Sequence, residues 1–372
     1  MFRITSPLKL GIACLLAIGS PSFAADDLPD YPLPRLQPPC VAECADFKPA
    51  EPILRAEPEY RSDLLGNTAT YAPEGFALLR YTVGTDGRTH DIIPIFRIGH
   101  HRIAEQAMET IKTWTFTPAT RNGKPVAQML TYRIYLRPDL SKIGTTYSLS
   151  PFNPFYQPPP VNLVEVDRLM AEGKRDEARA LLKEGMVRPH PSDYQSHSLL
   201  DRLLRLATER GDYLEARQYS VMATVANNLP SRYFGLVFWT ARMSADLALG
   251  ELADASFSFQ RLRAYGVDAG AEERFREAFA KADAAPELLV RATIPSDNQA
   301  PVYWHALHRK TFKFAEGAGA LDKFSLMCDH NMMEGQVSFT SQWRLPATWR
   351  NCILFVSGAP GATFGVIETK DG

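Results

Sequence analysis

Cysteine is scarce, with five residues in a chain of 372. After the first apolar run no second stretch reaches the roughly 20 apolar residues that a spanning helix needs. Lys and Arg number 41 against 42 Asp and Glu, a formal charge of -1 without basic clusters. That balance excludes a nucleic-acid surface, which requires concentrated positive charge. No serine stands in a nucleophile elbow. Gly358-Ala359-Pro360-Gly361 lacks the lysine and the following helix of a phosphate loop, so a plain turn is expected there. These absences point away from an enzyme and from any cofactor.

What is present begins at the N-terminus. Arg3 and Lys9 precede an apolar run from Leu10 to Ile18, followed by Gly19-Ser20-Pro21 and the small residues Ser22 and Ala24. This is the layout of a secretory signal peptide over 1–24, cleaved after Ala24. The competing readings are an uncleaved membrane anchor and a lipid-modified Cys14, against which Gly11 stands where a leucine is expected. Loss of the leader removes Cys14 and leaves Cys40, Cys44, Cys328 and Cys352. An even count in an oxidising compartment favours disulfides, and proximity pairs Cys40 with Cys44 and Cys328 with Cys352. A metal site would need a second closely spaced pair, which is missing.

Two proline-rich stretches divide the rest. Residues 25–54 carry Pro29, Pro32, Pro34, Pro38 and Pro39 and read as an extended leader, while 139–160 reads as a linker. Between them, Ala77, Leu79, Tyr81 and Val83 alternate along one strand, Asp86-Gly87 turns the chain, and Thr89 to Ile95 forms the returning strand. Ile103, Ala107, Ile111 and Trp114 then recur at helical spacing in a helix expected to end at Pro118. Asn122-Gly123 makes a second turn, and Leu130, Tyr132, Ile134 and Leu136 alternate along a last strand. One helix on a small antiparallel sheet is an α+β unit.

The ordered pieces Glu74-Gly75, Tyr81-Thr82-Val83 with Asp86-Gly87-Arg88, Trp114-Thr115-Phe116-Thr117-Pro118-Ala119 and Asn122-Gly123-Lys124-Pro125-Val126 resemble the TonB C-terminal domain family over about 55–138. That resemblance implies a domain that takes an extended segment of an outer-membrane protein onto its sheet edge. Carried to this chain, the edge is the last strand, with Gln128, Thr131, Arg133 and Tyr135 as candidate partner-binding residues. The family places this domain last and attaches it to a membrane helix. Here more than half of the chain follows it, so coupling to an inner-membrane motor is not implied.

From 161 to 284 the chain repeats. Gly173 to Ala178, Gly211 to Ala216 and Gly250 to Ala255 share a Gly-(x)4-Ala pattern at spacings of 38 and 39 residues, flanked by helical periodicity. Such a period means stacked helix pairs, with the glycine closing each turn and the alanine allowing close approach. The pattern resembles tetratricopeptide repeats, whose period is about 34 residues. An irregular bundle is the alternative. From 285 onward short strands follow: Leu288 to Ile294, Thr311 to Phe314, Phe324 to Cys328, Gln336 to Thr340 and Ile353 to Val356, with Trp343 and Trp349 between the last two. They predict a small β-sandwich that resembles no family.

The expected fold is therefore multidomain: a small α+β domain, an all-α repeat domain and an all-β sandwich. Two histidine pairs remain. His100-His101 precede the helix and are expected to cap it or lie in solvent. His305 and His308, at i and i+3, would share a helical face, but no acidic residue stands beside them in sequence as a third ligand. The functional expectation is a soluble periplasmic protein that binds envelope or outer-membrane proteins, with no metal and no nucleic acid. The alternatives are a membrane-anchored TonB-type energy transducer and an envelope enzyme with its site in the C-terminal domain.

Overall fold

The computed structural model describes residues 46–58, 75–98, 102–136, 161–187, 193–225, 231–267, 269–295 and 302–370. The signal peptide, the Cys40–Cys44 pair, the 139–160 linker and His100-His101 lie outside these residues.

Part of the proline-rich leader is not extended spacer but sheet. β1 (Phe47–Lys48) and β2 (Glu51–Leu54) are followed by β3 (Gly75–Val83), β4 (Thr89–Ile98), α1 (Arg102–Lys112), β5 (Thr115–Thr117), β6 (Ala119–Arg121), β7 (Lys124–Val126) and β8 (Gln128–Leu136). β1 pairs with β6, and β2 pairs with β5. The helix stops at Lys112, before Pro118. Trp114 and Phe116 are buried on the strand side, and these alternating aromatics favour a strand over another helical turn. Gly87 closes the β3–β4 hairpin at φ +74°, and an added Cβ would stand 2.2 Å from the Phe116 carbonyl oxygen. Only glycine fits that approach.

The main sheet has the order β4-β3-β8, all antiparallel. Its two faces meet different neighbours because side chains alternate along a strand. Ala77, Leu79, Tyr81 and Val83 pack with Ile103, Ala107, Ile111 and Trp114 of the α1 side. Phe76 and Leu78 turn the other way, into a core shared with helices and with the C-terminal strands.

Those helices are α2 (Leu163–Ala171), α3 (Arg175–Val187), α4 (Asp193–Glu209), α5 (Tyr213–Val225), α6 (Arg232–Leu249), α7 (Leu252–Ala264) and α8 (Ala269–Ala284). Gly173, Gly211 and Gly250 sit at positive φ in the α2–α3, α4–α5 and α6–α7 turns, where left-handed backbone favours glycine. Ala178, Ala216 and Ala255 are buried. Asn162 and Ser231 cap α2 and α6 by accepting from backbone N–H groups of the first turn.

The C-terminal part is a sandwich of two four-stranded antiparallel sheets. The strands are β9 (Glu287–Thr293), β10 (Val302–Ala306), β11 (Thr311–Ala318), β12 (Leu321–Met327), β13 (Met332–Gln336), β14 (Gln342–Arg344), β15 (Ile353–Gly358) and β16 (Thr363–Thr369). One sheet runs β10-β15-β12-β13 and the other β14-β11-β16-β9. Phe312, Phe314, Phe324, Leu354 and Val366 fill the space between them, and Trp343 stacks on Phe312 with ring centres 5.5 Å apart. Cys328 and Cys352 form a disulfide. The strand expected at Gln336 to Thr340 lies earlier, at β13, where Met333 and Glu334 pair with Leu326 and Ser325 of β12. The turn at Gly358 to Gly361 is present, with Gly361 at φ +80°.

The three parts share one core rather than standing apart. Phe76, Phe96 and Met129 of the first sheet, Leu199, Leu203 and Phe238 of the helices, and Trp304 and Phe355 of the sandwich belong to a single buried cluster. Arg80 of β3 is buried against the sandwich, with its guanidinium 5.4 Å from the Phe355 ring centre and a hydrogen bond to Ser325 Oγ. His330 stacks on Phe47, and its carbonyl oxygen accepts from Arg121 Nη2 at 2.6 Å.

Candidate functional site

With both faces of the β4-β3-β8 sheet covered, its edges carry the remaining backbone. β4 is irregular: its register against β3 shifts twice, Asp91 has φ +49°, and Pro94 has no N–H. β4 also lies against α5 and β10. Such an edge is blunted against pairing. β8 is the opposite case. Its nine residues pair with β3 without a register break, from Val83↔Gln128 to Gly75↔Leu136, and they include no proline. Among the described residues β3 is its only strand partner.

The direction of its amides follows from the hairpin. Gly84 donates its N–H to the Arg88 carbonyl oxygen at 2.8 Å, so even-numbered groups at this end of β3 point toward β4. Alternation turns the odd-numbered groups of β3 toward β8. These odd residues oppose even ones in β8, as in Tyr81↔Leu130 and Leu79↔Tyr132. Main-chain groups of Met129 and Thr131 therefore face away from the sheet.

Side chains are a different matter from amides. Gln128 is buried and its Oε1 accepts from the Ala50 N–H at 2.8 Å, so it holds the leader turn. Tyr135 packs on Phe76 with ring centres 5.4 Å apart, and the Arg133 guanidinium lies 5.0 Å from the Tyr135 ring centre. Thr131 is half-buried. The four residues thus share a strand without forming a side-chain patch, and what Thr131, Arg133 and Tyr135 offer outward is backbone, whereas the main-chain groups of Gln128 face β3. Arg55 lies over Tyr132 at 3.9 Å, and Trp114 Nε1 donates to the Ala56 carbonyl oxygen, so the leader also braces the α1 side.

A buried ionic seam, absent from the sequence reading, fixes the helices to the sandwich. Arg217 Nε donates to Asp246 Oδ1 at 2.9 Å, Arg242 Nη2 to Asp254 Oδ1 at 3.3 Å, and Ser258 Oγ to Asp246 Oδ2 at 3.2 Å. Glu251, in the α6–α7 turn, accepts from Tyr303 and His305 of β10. His305 Nε2 lies 3.0 Å from Glu368 Oε1, and Glu368 Oε2 accepts from the Arg309 N–H. His305 and His308 are therefore not neighbours on a helix. β10 aims His305 inward, and His308 pairs with Asp283 at 2.8 Å. The acids missing beside them in sequence arrive from distant elements.

Burial alone would lower the His305 pKa, but the adjacent charge of Glu251 and hydrogen bonds to Glu251 and Glu368 outweigh it and raise it to about 10. For Glu251, burial opposes ionisation, yet His305 and Arg217 hold it down at about 2. Asp246 is pushed up to about 7 by burial and by the neighbouring Asp254. Among the described residues no group of three or more His, Cys, Asp or Glu is arranged to hold a metal ion.

A helix on a three-stranded antiparallel sheet with one regular outer edge defines the domain as a small α+β module. Residues 72–136 match the family described as Gram-negative bacterial TonB protein C-terminal. The match implies an envelope-associated, protein-interacting role for this domain. No curated protein matches the chain. Among solved structures the chain is similar, at 11% identity, to Streptomyces albus HEPD with substrate 2-hydroxyethylphosphonate and Fe(II) bound, over 90% of this chain and 70% of that one, with a TM-score of 0.15. At that score the likeness carries no information on fold or chemistry. No helix of the described residues is long and apolar enough to cross a membrane.

Proposed function

We propose that this protein is exported to the periplasm and binds envelope or outer-membrane proteins by adding an extended segment of the partner to the outer edge of β8. The observation that carries this reading is the contrast between the two edges: β4 is broken by register shifts and a proline, whereas β8 runs unbroken for nine residues. Main-chain hydrogen bonds would supply the affinity. The helices and the sandwich cover the back of the sheet, among the described residues no second strand pairs with β8, and the stacked helix pairs offer a second surface for the same partners.

The test is a photo-crosslinking amino acid at Thr131, placed in intact cells, with a second copy at Ile134 inside the core as control. An adduct with an envelope protein through an extended segment, formed from Thr131 and not from Ile134, is expected. Adducts from neither position, while positions on the helices crosslink, would move the binding surface to the repeats. N-terminal sequencing of the mature protein should begin at Ala25. A start at Met1 in the membrane fraction would favour the anchored transducer.

A further inference from the structure

Where the first sheet, the helices and the sandwich meet, the fold leaves a cleft of about 370 Å³. That volume lies in the range of small-molecule sites. Its basic wall comes from α3. Arg179 and Lys183 reach across to Glu215 of α5, with Arg179 Nε at 3.3 Å and Lys183 Nζ at 3.0 Å. Arg210 Nη2 also meets Glu215, at 2.5 Å, and Tyr219 donates its hydroxyl at 2.8 Å. Burial disfavours the Glu215 charge, but these donors keep its pKa at about 2. Three cations thus converge on one ionised carboxylate, with Asp212 3.8 Å from Arg210 as the other nearby acid. Glu215 and Asp212 line the cleft beside Arg179 and Lys183, so with Arg210 behind them this cluster sets three cations against two carboxylates and carries one positive charge in excess.

The opposite wall is apolar. Ile95 and Phe96 of β4, Pro295, and Trp304 of β10 line it. Arg217 lies over the Trp304 ring at 4.6 Å and stands between the cleft and the buried carboxylates of Asp246, Glu251 and Asp254. The cleft therefore faces a positive end and an apolar body at once. We infer that it binds an organic carboxylate whose charged end meets Arg179 and Lys183 and whose apolar body lies against Phe96 and Trp304. The source is either a free small acid or the C-terminal end of a peptide.

Calorimetry on the purified protein with N-acetylphenylalanine, its amide and inorganic phosphate tests this. Saturable one-to-one binding of the acid is expected, with the amide and phosphate each at least about tenfold weaker, because each lacks one half of the recognition. Arg179→Gln and Lys183→Gln should each weaken the acid by about tenfold. The Lys183 side chain is 47% exposed, so that variant keeps its fold, and an unchanged melting temperature checks this. N-acetyl-Ala-Ala-Phe binding as well as the single amino acid identifies a peptide end as the source; binding of the single amino acid alone identifies a free acid. No saturable binding of the acid, equal binding of the amide, or undiminished binding in folded Lys183→Gln would each overturn the inference.

Discussion

His305 donates from Nδ1 to Glu251, a residue 54 positions earlier in the chain, and both side chains are wholly buried. Glu368 lies 3.0 Å from Nε2, and with the His305 pKa raised to about 10 the ring carries both protons at neutral pH. This imidazolium ties the α6–α7 turn to β10 and β16, so the helices and the sandwich meet through charge as well as apolar packing. His305→Ala would leave two carboxylates buried without their shared cation. Breaking a buried pair by removing one partner costs about 3–5 kcal/mol. Urea unfolding should show a loss of that size, and a loss under about 1 kcal/mol would mean that the seam is hydrated and weakly coupled.

The seam also sets a pH profile. His305 has a raised pKa in the fold, about 10, so its contribution is complete below the unfolded histidine value and fades as pH climbs toward 10. Asp246, raised to about 7, behaves alike: its contribution is complete below the ordinary aspartate value and is lost as pH rises through 7. Glu251, depressed to about 2, contributes above the ordinary glutamate value and loses that as pH falls toward 2. Thermal stability should therefore peak at about pH 4, where the gain from Glu251 ends and the loss from Asp246 begins, and decline above it. Melting temperatures across pH 3 to 10 check this, and Asp246→Asn should flatten the decline between about pH 4 and 7 and leave the one above it, which belongs to His305.

The disulfide predicts a separate loss. Cys328 and Cys352 are 24 residues apart, and their loop carries His330, which stacks on Phe47 and accepts from Arg121. Replacing both cysteines by serine should cost about 3 kcal/mol by the chain-entropy relation. It should also raise amide exchange at Phe47 and Arg121, since the loop braces the TonB-like domain against the sandwich. Unchanged exchange there would show that the loop keeps its shape without the bond.

Much of the TonB-like domain was legible in the sequence because its signals are local. Alternation in Ala77 to Val83, the Asp86-Gly87 turn and the stripe of Ile103, Ala107 and Ile111 each fall within one element. Gly173, Gly211 and Gly250 were legible for the same reason, as turn residues needing positive φ. The leader strands were not, because Phe47–Lys48 and Glu51–Leu54 acquire their pairing only from β6 and β5, far along the chain. β10 was missed because its burial on both sides makes Val302 to Ala306 read as a short run without period. With β10 went the meaning of His305, whose two acids lie 54 and 63 residues away. At the candidate edge the strand was legible, but Gln128, Arg133 and Tyr135 turned out to face this chain's own leader and core.

The edge itself makes the most discriminating prediction. If the backbone of β8 captures the partner, loss of an outward N–H should matter more than loss of a side chain. Proline removes the donor and is tolerated in a strand only on an edge whose N–H faces away from the sheet. Thr131 has that geometry, whereas Tyr132 opposes Leu79 with its amide directed at β3. With the crosslinking amino acid moved to Arg133, Thr131→Pro should thus leave the domain folded, by circular dichroism and melting, and reduce partner crosslinking at least tenfold, while Thr131→Ala reduces it only modestly. Tyr132→Pro should instead unfold the domain, since it breaks the β3–β8 ladder and opens the packing on Trp114. Should folded Thr131→Pro crosslink as well as the unaltered protein, strand addition at β8 is wrong. If Tyr132→Pro folds and Thr131→Pro does not, the outward and inward sets of amides are reversed from the assignment made through Gly84 and Arg88.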